Sequence, residues 1–144
     1  MRQLLPRIAS LWMIGWLWVG AALAAPPTEQ DALAAQQVVR AQLAAFAADD
    51  AEQAFSYASD AIRAQFGTAA QFIHMVRRAY PAVYRHGAAV FLKPEPADDE
   101  LVQPVHLTDR SGATWLAIYR LLRHSDASWR IGGCVLLPRA GKTV

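Results

Sequence analysis

Residues 101–137 read LVQPVHLTDRSGATWLAIYRLLRHSDASWRIGGCVLL, and this stretch decides the fold. Along much of it, apolar residues recur at every second position, which is typical of β-strands that bury one face. Two clusters of turn residues divide it into three strands, at residues 101–108, 113–123 and 128–137. Because tight turns join consecutive strands, we expect the three strands to pair in an antiparallel sheet.

A fourth strand is predicted just before this stretch, at residues 88–93. Gly132 and Gly133 interrupt the last strand, and such a pair predicts a bulge or bend that curves the sheet. Pro104 has no N–H to donate to a neighbouring strand, so we expect its strand to be an edge strand or a bulged one. The sequence therefore predicts a curved four-stranded antiparallel sheet.

The chain before the sheet has helical spacing of its apolar residues and repeated helix-capping signals. Thr28 and Asp31 form the pattern of a capping box at the start of an alanine-rich helix that extends to about residue 48. Asp50 and Ser59 are positioned to cap two short helices, and Thr68 to cap a longer one that ends before Pro81. Helices followed by a meandering sheet predict an α+β fold, with the helices packed on one face of the sheet.

The first 24 residues have the three parts of a secretory signal. Arg2 and Arg7 supply the positive start, an apolar run follows, and Ala22 and Ala24 give the small residues that precede a signal-peptidase cut. We therefore expect cleavage after Ala24. The remaining α+β domain should act in the periplasm or outside the cell. An uncleaved membrane anchor is the alternative. The predicted organisation is a signal at 1–24, a linker at 25–31, one α+β domain at 32–138 and a flexible tail at 139–144.

Charge and cysteine content exclude several classes of protein. The chain has 14 Lys and Arg residues against 12 Asp and Glu. Since Arg2 and Arg7 belong to the predicted leader, the remainder is balanced at 12 of each sign. A balanced chain has no surplus of cations for phosphates, so we expect no nucleic-acid partner. The single cysteine, Cys134, cannot form an intramolecular disulfide, and after cleavage we expect no membrane attachment.

The residues that could carry catalysis or bind a metal are dispersed. Most acidic residues fall at predicted helix caps and in turns, and no two histidines have the spacing of metal ligands. One catalytic pair stays open, Tyr57 with His106, if the strand that carries His106 presents the opposite face. Cys134 alternates with apolar neighbours, which favours a buried, unreactive thiol. The sequence thus predicts no catalytic residue, no metal site and no cofactor.

Aromatic and cationic residues are the remaining candidates for a binding site. Arg77, Arg78 and Arg85 are close in sequence to Tyr80, and they either hold an anionic ligand or form a solvated rim. Buried tyrosines and tryptophans need polar partners, which a ligand can provide, although a well-filled core is the alternative. The predicted ligand-binding residues are Tyr57, Phe72, Tyr84, Trp115, Tyr119 and Trp129.

The order of elements and the closing segment WRIGGCVL at 129–136 resemble an exported bacterial family, domain of unknown function 4864. The likeness covers roughly residues 37–138 and includes residues 72–76, 80–84 and 115–121. Members of that family resemble the nuclear transport factor 2 superfamily, which has a cystatin-like fold. The resemblance implies a cone-like sheet closed by the first helix, with an interior that holds ligands in some lineages. It supplies no catalytic residues.

Two functions follow as hypotheses. The first is an exported, noncatalytic module that binds a small apolar or anionic molecule, or an envelope protein, through the open end of the cone. The second is a small lyase, isomerase or hydrolase that works inside it. We also predict a homodimer through the outer sheet face, if Val102, Leu116 and Ile118 point outward.

Overall fold

The helices come first along the chain, as predicted. A computed structural model describes residues 25–139, so the predicted signal at 1–24 lies outside the described residues. No helix within this range is long and apolar enough to cross a bilayer. The helices are α1 (Glu29–Ala47), α2 (Ala51–Ser56), α3 (Asp60–Phe66), α4 (Ala69–Ala79) and α5 (Pro81–Tyr84).

Side-chain caps explain where the first four helices begin. The Thr28 backbone N–H donates to Asp31 Oδ2 at 2.8 Å, and the Asp31 N–H donates to Thr28 Oγ1 at 3.2 Å, which confirms the capping box. Asp50, Ser59 and Thr68 each accept a backbone hydrogen bond at the start of α2, α3 and α4, so these caps are confirmed as well. Because α1 begins at Glu29, the last residues of the predicted linker belong to the helix.

The sheet contains the four predicted strands and one more. The strand order is β1-β3-β4-β5, and the short β2 pairs with β3. We did not predict β2, because its three residues lie among prolines and acidic residues that are typical of a loop. The strands are β1 (His86–Phe91), β2 (Glu95–Ala97), β3 (Glu100–Asp109), β4 (Thr114–Arg123) and β5 (Trp129–Arg139).

The prediction that Pro104 marks an edge or bulged strand was wrong, because β3 lies between β1 and β4. The Leu92 N–H donates to the Pro104 carbonyl at 3.0 Å, and an antiparallel pair of this kind normally returns a second bond to Leu92 O. Proline cannot supply that bond. Instead the Gln103 side-chain amide donates to Leu92 O at 2.8 Å and to Pro104 O at 2.7 Å. The neighbouring glutamine thus replaces the missing backbone donor.

The predicted bulge in the last strand is confirmed. Arg120 of β4 is paired with Gly133, and the next residue, Leu121, is paired with Ile131. Gly132 is therefore the extra residue of a β-bulge. A Cβ atom at Gly132 would lie 2.7 Å from Leu122 Cδ1, so the close approach of this side chain favours glycine.

The core lies between the helices and one face of the sheet, here called the inner face. Val39, Leu43 and Phe46 of α1 are buried and form the apolar stripe of that helix. Leucine, valine and tyrosine side chains of the central strands meet them. The buried residues of the inner face are Leu101, Gln103, Val105, Leu107, Ala117, Tyr119, Leu121, Trp129 and Ile131.

Candidate functional site

A cavity of about 480 Å³ lies between the helices and the β4–β5 half of the inner face. Its volume is within the range of small-molecule sites, about 300–1,000 Å³. Helices α1, α3, α4 and α5 form most of its wall, and the bulge of β5 forms part of the remainder. The lining residues are Gln42, Phe46, Ala58, Ile62, Gln65, Phe66, Phe72, Met75, Val76, Ala79, Tyr80, Val83, Tyr119, Ile131, Gly132, Gly133 and Cys134.

The walls of this cavity are mostly apolar and carry no formal charge. Phe72 stacks near Phe46, with 6.2 Å between ring centroids, and Phe66 meets Phe72 edge-on at 5.8 Å. None of the lining residues, all of which lie within the described range, is Asp, Glu, Lys, Arg or His. The cavity therefore suits a ligand with a large apolar surface.

Cys134 and Gln42 bring polar atoms to the inner wall of the cavity, and Tyr119 lies beside them with its hydroxyl buried. Tyr119 and Cys134 are direct partners on β4 and β5, and only 1% of Tyr119 is exposed. The Tyr119 hydroxyl has no hydrogen-bond partner among residues 25–139. Gln42 is also buried, and its side-chain N–H donates to Ala54 O at 3.1 Å. A buried hydroxyl without a partner is uncommon, since losing water without gaining a hydrogen bond costs about 1–3 kcal/mol.

Burial keeps the Tyr119 and Cys134 side chains in their neutral forms. Burial raises the pKa of the Cys134 thiol to about 12, and the Tyr119 hydroxyl offsets part of the shift. Burial also raises the pKa of Tyr119 well above its usual value, and the adjacent thiol adds to this effect, although the pair does not have the geometry of a hydrogen bond. A thiol with so high a pKa has very little thiolate at neutral pH, which agrees with the predicted lack of reactivity, but Cys134 is half-buried and not buried as predicted.

The opening of the cavity lies on the helical side. Gln65 of α3 and Ala79 at the end of α4 line the cavity and are exposed, so they mark its opening. Phe72 and Val76 of the same helix are buried. Ala79 is exposed because α4 ends there, at the rim. The cavity thus runs from an exposed alanine inward to Tyr119.

Two of the six predicted ligand-binding residues, Phe72 and Tyr119, line this cavity. The hydroxyl of Tyr57 accepts a hydrogen bond from Gln53 Nε2 at 2.6 Å, outside the cavity. The Tyr84 hydroxyl is also outside it and bonds with the Asp49 carboxylate. These two tyrosines therefore have polar partners within the protein.

Both predicted tryptophans also lie outside the cavity, with their indole N–H groups paired. Trp115 Nε1 donates to Asp109 Oδ2 at 3.0 Å. Trp129 Nε1 donates to Asp31 Oδ1 at 3.3 Å. A hydrogen bond from Thr28 is the main reason why the pKa of Asp31 falls to about 2. Sequence reasoning could not separate these residues from Tyr119, because aromatic type alone does not show which polar partner is near.

The arginine cluster is arranged around one carboxylate. Arg77 and Arg85 lie 3.4 and 2.5 Å from Asp49 Oδ1. Their guanidinium groups also lie 4.9 and 4.3 Å from the centroid of the Tyr84 ring. Hydrogen bonds from Tyr84 and then Arg85 lower the pKa of Asp49. Two of the three predicted cations thus serve an internal ion-pair network, and the third, Arg78, is exposed.

The open catalytic pair of Tyr57 and His106 is not brought together. His106 lies on the outer face of β3, between the buried Val105 and Leu107, and Arg139 Nη1 is 2.8 Å from its ring nitrogens. Tyr57 lies in the helical layer on the other side of the sheet. Within residues 25–139, no three His, Cys, Asp or Glu side chains are close enough to hold a metal ion.

A second, more polar cavity of about 270 Å³ lies where α3 begins beside the β4–β5 turn. This cavity could not be predicted from the sequence, because it joins segments about 65 residues apart. His124 Nε2 is 2.9 Å from Asp60, and its Nδ1 is 3.2 Å from Asp126. Arg123 and Arg130 also line this cavity, and each is paired with an acidic residue. The two arginines and His124 are thus engaged with carboxylates of the chain itself.

The outer face of the sheet carries the residues of the predicted homodimer. Val102, Leu116 and Ile118 lie on this face and are half-buried. Val90, Val135 and Leu137 surround them and are more exposed. The structure describes one chain, so the homodimer stays a prediction.

The fold and the cavity together define a class: α+β domains in which helices and one face of an antiparallel sheet enclose an apolar cavity. A family model adds the particular assignment. The model of the domain of unknown function DUF4864 matches residues 28–144, and the chain belongs to this family. Comparison with curated proteins and with solved structures gave no significant match. The family resemblance of the sequence is thereby confirmed, while export and the superfamily stay predictions.

Proposed function

We propose that this protein is an exported, noncatalytic module that binds a small, mostly apolar molecule in the cavity between its helices and its sheet. One observation carries the proposal: a cavity of about 480 Å³ whose walls are apolar and uncharged. Because the cavity is open on the helical side, its apolar walls are in contact with water, and apolar surface in water costs about 25 cal/mol per Å². A bound molecule would remove these walls from water.

The same walls argue against the enzyme alternative. General acid–base catalysis needs a side chain that exchanges protons near neutral pH, usually His, Asp or Glu. The lining residues contain none of these types. Burial moves the pKa of Cys134 to about 12, far from neutrality, which also disfavours a thiolate nucleophile.

Two further parts of the proposal rest on sequence and element order. The positive start, apolar run and small residues of the first 24 positions support export. Helices followed by a bulged antiparallel sheet that borders a cavity support a place in the nuclear transport factor 2 superfamily. Sequencing of the exported protein should find Ala25 as its first residue, and an unprocessed Met1 would contradict cleavage.

The binding proposal is tested by blocking the opening. Ala79→Trp places a large side chain at the exposed rim, and Ala70→Trp places the same side chain on an exposed part of α4 away from the cavity. The uncharged fluorescent probe N-phenyl-1-naphthylamine should bind saturably to the protein and to Ala70→Trp. Binding should be at least about tenfold weaker in Ala79→Trp, because the indole occupies the entrance. Equal binding by the two variants would contradict the proposal.

A further inference from the structure

One edge of the sheet, along β5, has backbone groups that the described chain leaves unpaired. β5 is the last strand in the sheet order, so only one of its sides is covered by a strand, β4. On the other side, the Ile131 N–H donates to Tyr57 O at 2.8 Å, and the Ile131 carbonyl accepts the Ser59 N–H at 2.9 Å. Beyond Ile131, no other segment within residues 25–139 forms backbone hydrogen bonds with this edge.

The unpaired groups can be assigned to particular residues. In an antiparallel sheet, the N–H and C=O groups of successive residues point alternately to the two neighbouring strands. Ile131 points away from β4, and Gly132 is the extra residue of the bulge. The next residues that point away from β4 are therefore Cys134, Leu136 and Pro138. Cys134 and Leu136 each present a free donor and a free acceptor, whereas Pro138 presents an acceptor alone.

This edge lacks the charges that usually keep strands of different molecules apart. Residues 131–138 read IGGCVLLP and contain no charged side chain. Val135 and Leu137 expose 55% and 43% of their surface in this segment. An unpaired and apolar edge of this kind is a template for another strand. Because the bulge and Pro138 bound the free segment, only a short strand can pair with it.

We propose that this edge pairs with β5 of a second copy of the chain, antiparallel and on a two-fold axis at Val135. Cys134 of each copy then lies opposite Leu136 of the other, and the free N–H and C=O groups of both residues are paired. A register centred on Leu136 would instead place Pro138 opposite Cys134, whose carbonyl would have no donor. The backbone therefore favours the register centred on Val135.

The side chains fit this register on both faces of the sheet. On the outer face, Val135 meets its own copy, and Leu137 lies opposite Gly133 of the second copy, where an added Cβ atom would have nothing within 4 Å. On the inner face, Leu136 of the second copy lies beside Cys134, which lines the large cavity. The second copy thus extends the cavity wall along β5. Most of the outer face stays open to water, unlike in the homodimer predicted from the sequence.

Two lysine substitutions test the pairing by sedimentation equilibrium. The protein should be mostly dimeric at about 500 μM and should dissociate on dilution. Val135→Lys should weaken dimerisation at least about tenfold, because like charges would face each other across the axis. Val90→Lys is the matched control, since 60% of Val90 is exposed on the outer face of β1, at the opposite edge of the sheet. It should leave dimerisation unchanged.

Intermolecular disulfides test the register. In a Cys134→Ser background, Val135→Cys should form a covalent dimer when oxidised glutathione accepts the electrons of the two thiols. Its two copies are directly opposite and not hydrogen-bonded to each other, with Cα atoms about 4.5 Å apart, which a disulfide can span. Leu137→Cys in the same background should not cross-link, because its two copies lie about 13 Å apart along the strands.

Several outcomes would overturn this inference. One is a protein that stays monomeric at about 500 μM. Another is an equal loss of dimerisation in Val135→Lys and Val90→Lys, which would point to pairing through the outer face. A third is cross-linking of Leu137→Cys as readily as of Val135→Cys, which would show that the register is wrong. None of these results bears on the proposed binding function, because Ala79→Trp tests the cavity opening in a monomer and in a dimer alike.

Discussion

The inner and outer faces of the sheet are built from alternate residues of the same strands, but their apolar side chains meet different surroundings. On the inner face, only 1% of Leu107 is exposed, and Val105 is fully buried. On the outer face, 55% of Val135 and 43% of Leu137 are exposed. The apolar residues that point toward the helices are therefore the ones that form the core of this fold. The exposed apolar residues stay available for contact with another molecule, which is why the predicted homodimer involves this face.

The largest expected difference between the faces is in the cost of removing a leucine side chain. Leu107→Ala should lower the free energy of unfolding by about 2–5 kcal/mol, because it leaves a cavity in the core. Leu137→Ala should lower it by less than about 1 kcal/mol, since its side chain is already in contact with water. Urea unfolding measures both values. Similar losses would show that the outer face is covered in solution, as the homodimer predicts.

Gln103 allows the stabilising effect of a polar side chain on the inner face to be tested. Gln103→Leu should cost about 1–3 kcal/mol, because the carbonyls of Leu92 and Pro104 lose their side-chain donor. Gln37→Leu, at an exposed position of α1, should change the stability by less than about 0.5 kcal/mol.

The compensation between Gln103 and Pro104 can be tested with a double variant. Pro104→Ala restores a backbone N–H opposite the Leu92 carbonyl. Gln103→Leu should therefore be less damaging when it is combined with Pro104→Ala than when it is made alone. If the free-energy cost of the double variant equals the sum of the costs of the two single variants, the side-chain amide does not replace the proline donor.

The bulge gives a smaller contrast between two adjacent glycines. Gly132→Ala should cost about 1–2 kcal/mol, because its Cβ would lie 2.7 Å from Leu122 Cδ1 and force that side chain to move. Gly133→Ala should change the stability by less than about 0.5 kcal/mol, since a Cβ there has nothing within 4 Å. Thermal unfolding of the two variants measures the difference. Equal stabilities would mean that Leu122 moves aside at no cost.

Most of the fold could be predicted from the sequence, because local signals specify it. Capping residues such as Thr28 and Thr68 mark the starts of helices, and the period of two marks the strands. The central position of β3 could not be predicted, since it depends on Gln103 replacing the donor that Pro104 lacks. That replacement is a contact between side chain and backbone, which neither propensity nor period reveals.

The candidate site was harder to predict than the fold. Aromatic composition identified Phe72 and Tyr119, both of which line the cavity. It also selected Trp115 and Trp129, whose N–H groups are paired with aspartates. The sequence did not identify Gln42 as a cavity residue, because a glutamine on an alanine-rich helix is typical of a solvated face. Its burial becomes evident only in the folded structure, where its side-chain N–H donates to Ala54 O of α2.

Cys134 and Val135 are adjacent on β5, and they allow the two faces of the sheet to be compared by the reactivity of a thiol. Burial raises the pKa of Cys134 to about 12, so its reactive thiolate is scarce at any pH near neutrality. Its rate of alkylation by iodoacetamide should rise about tenfold for each pH unit between 8 and 10 without levelling off. The double variant Cys134→Ser with Val135→Cys moves the thiol to the outer face, where it is exposed and keeps a pKa near 8.5. This thiol should react faster at pH 8 than Cys134 does. Its rate of alkylation should level off above about pH 9. If the rate for Cys134 also levels off near pH 9, the half-buried thiol keeps an ordinary pKa, and its position at the cavity wall does not desolvate it.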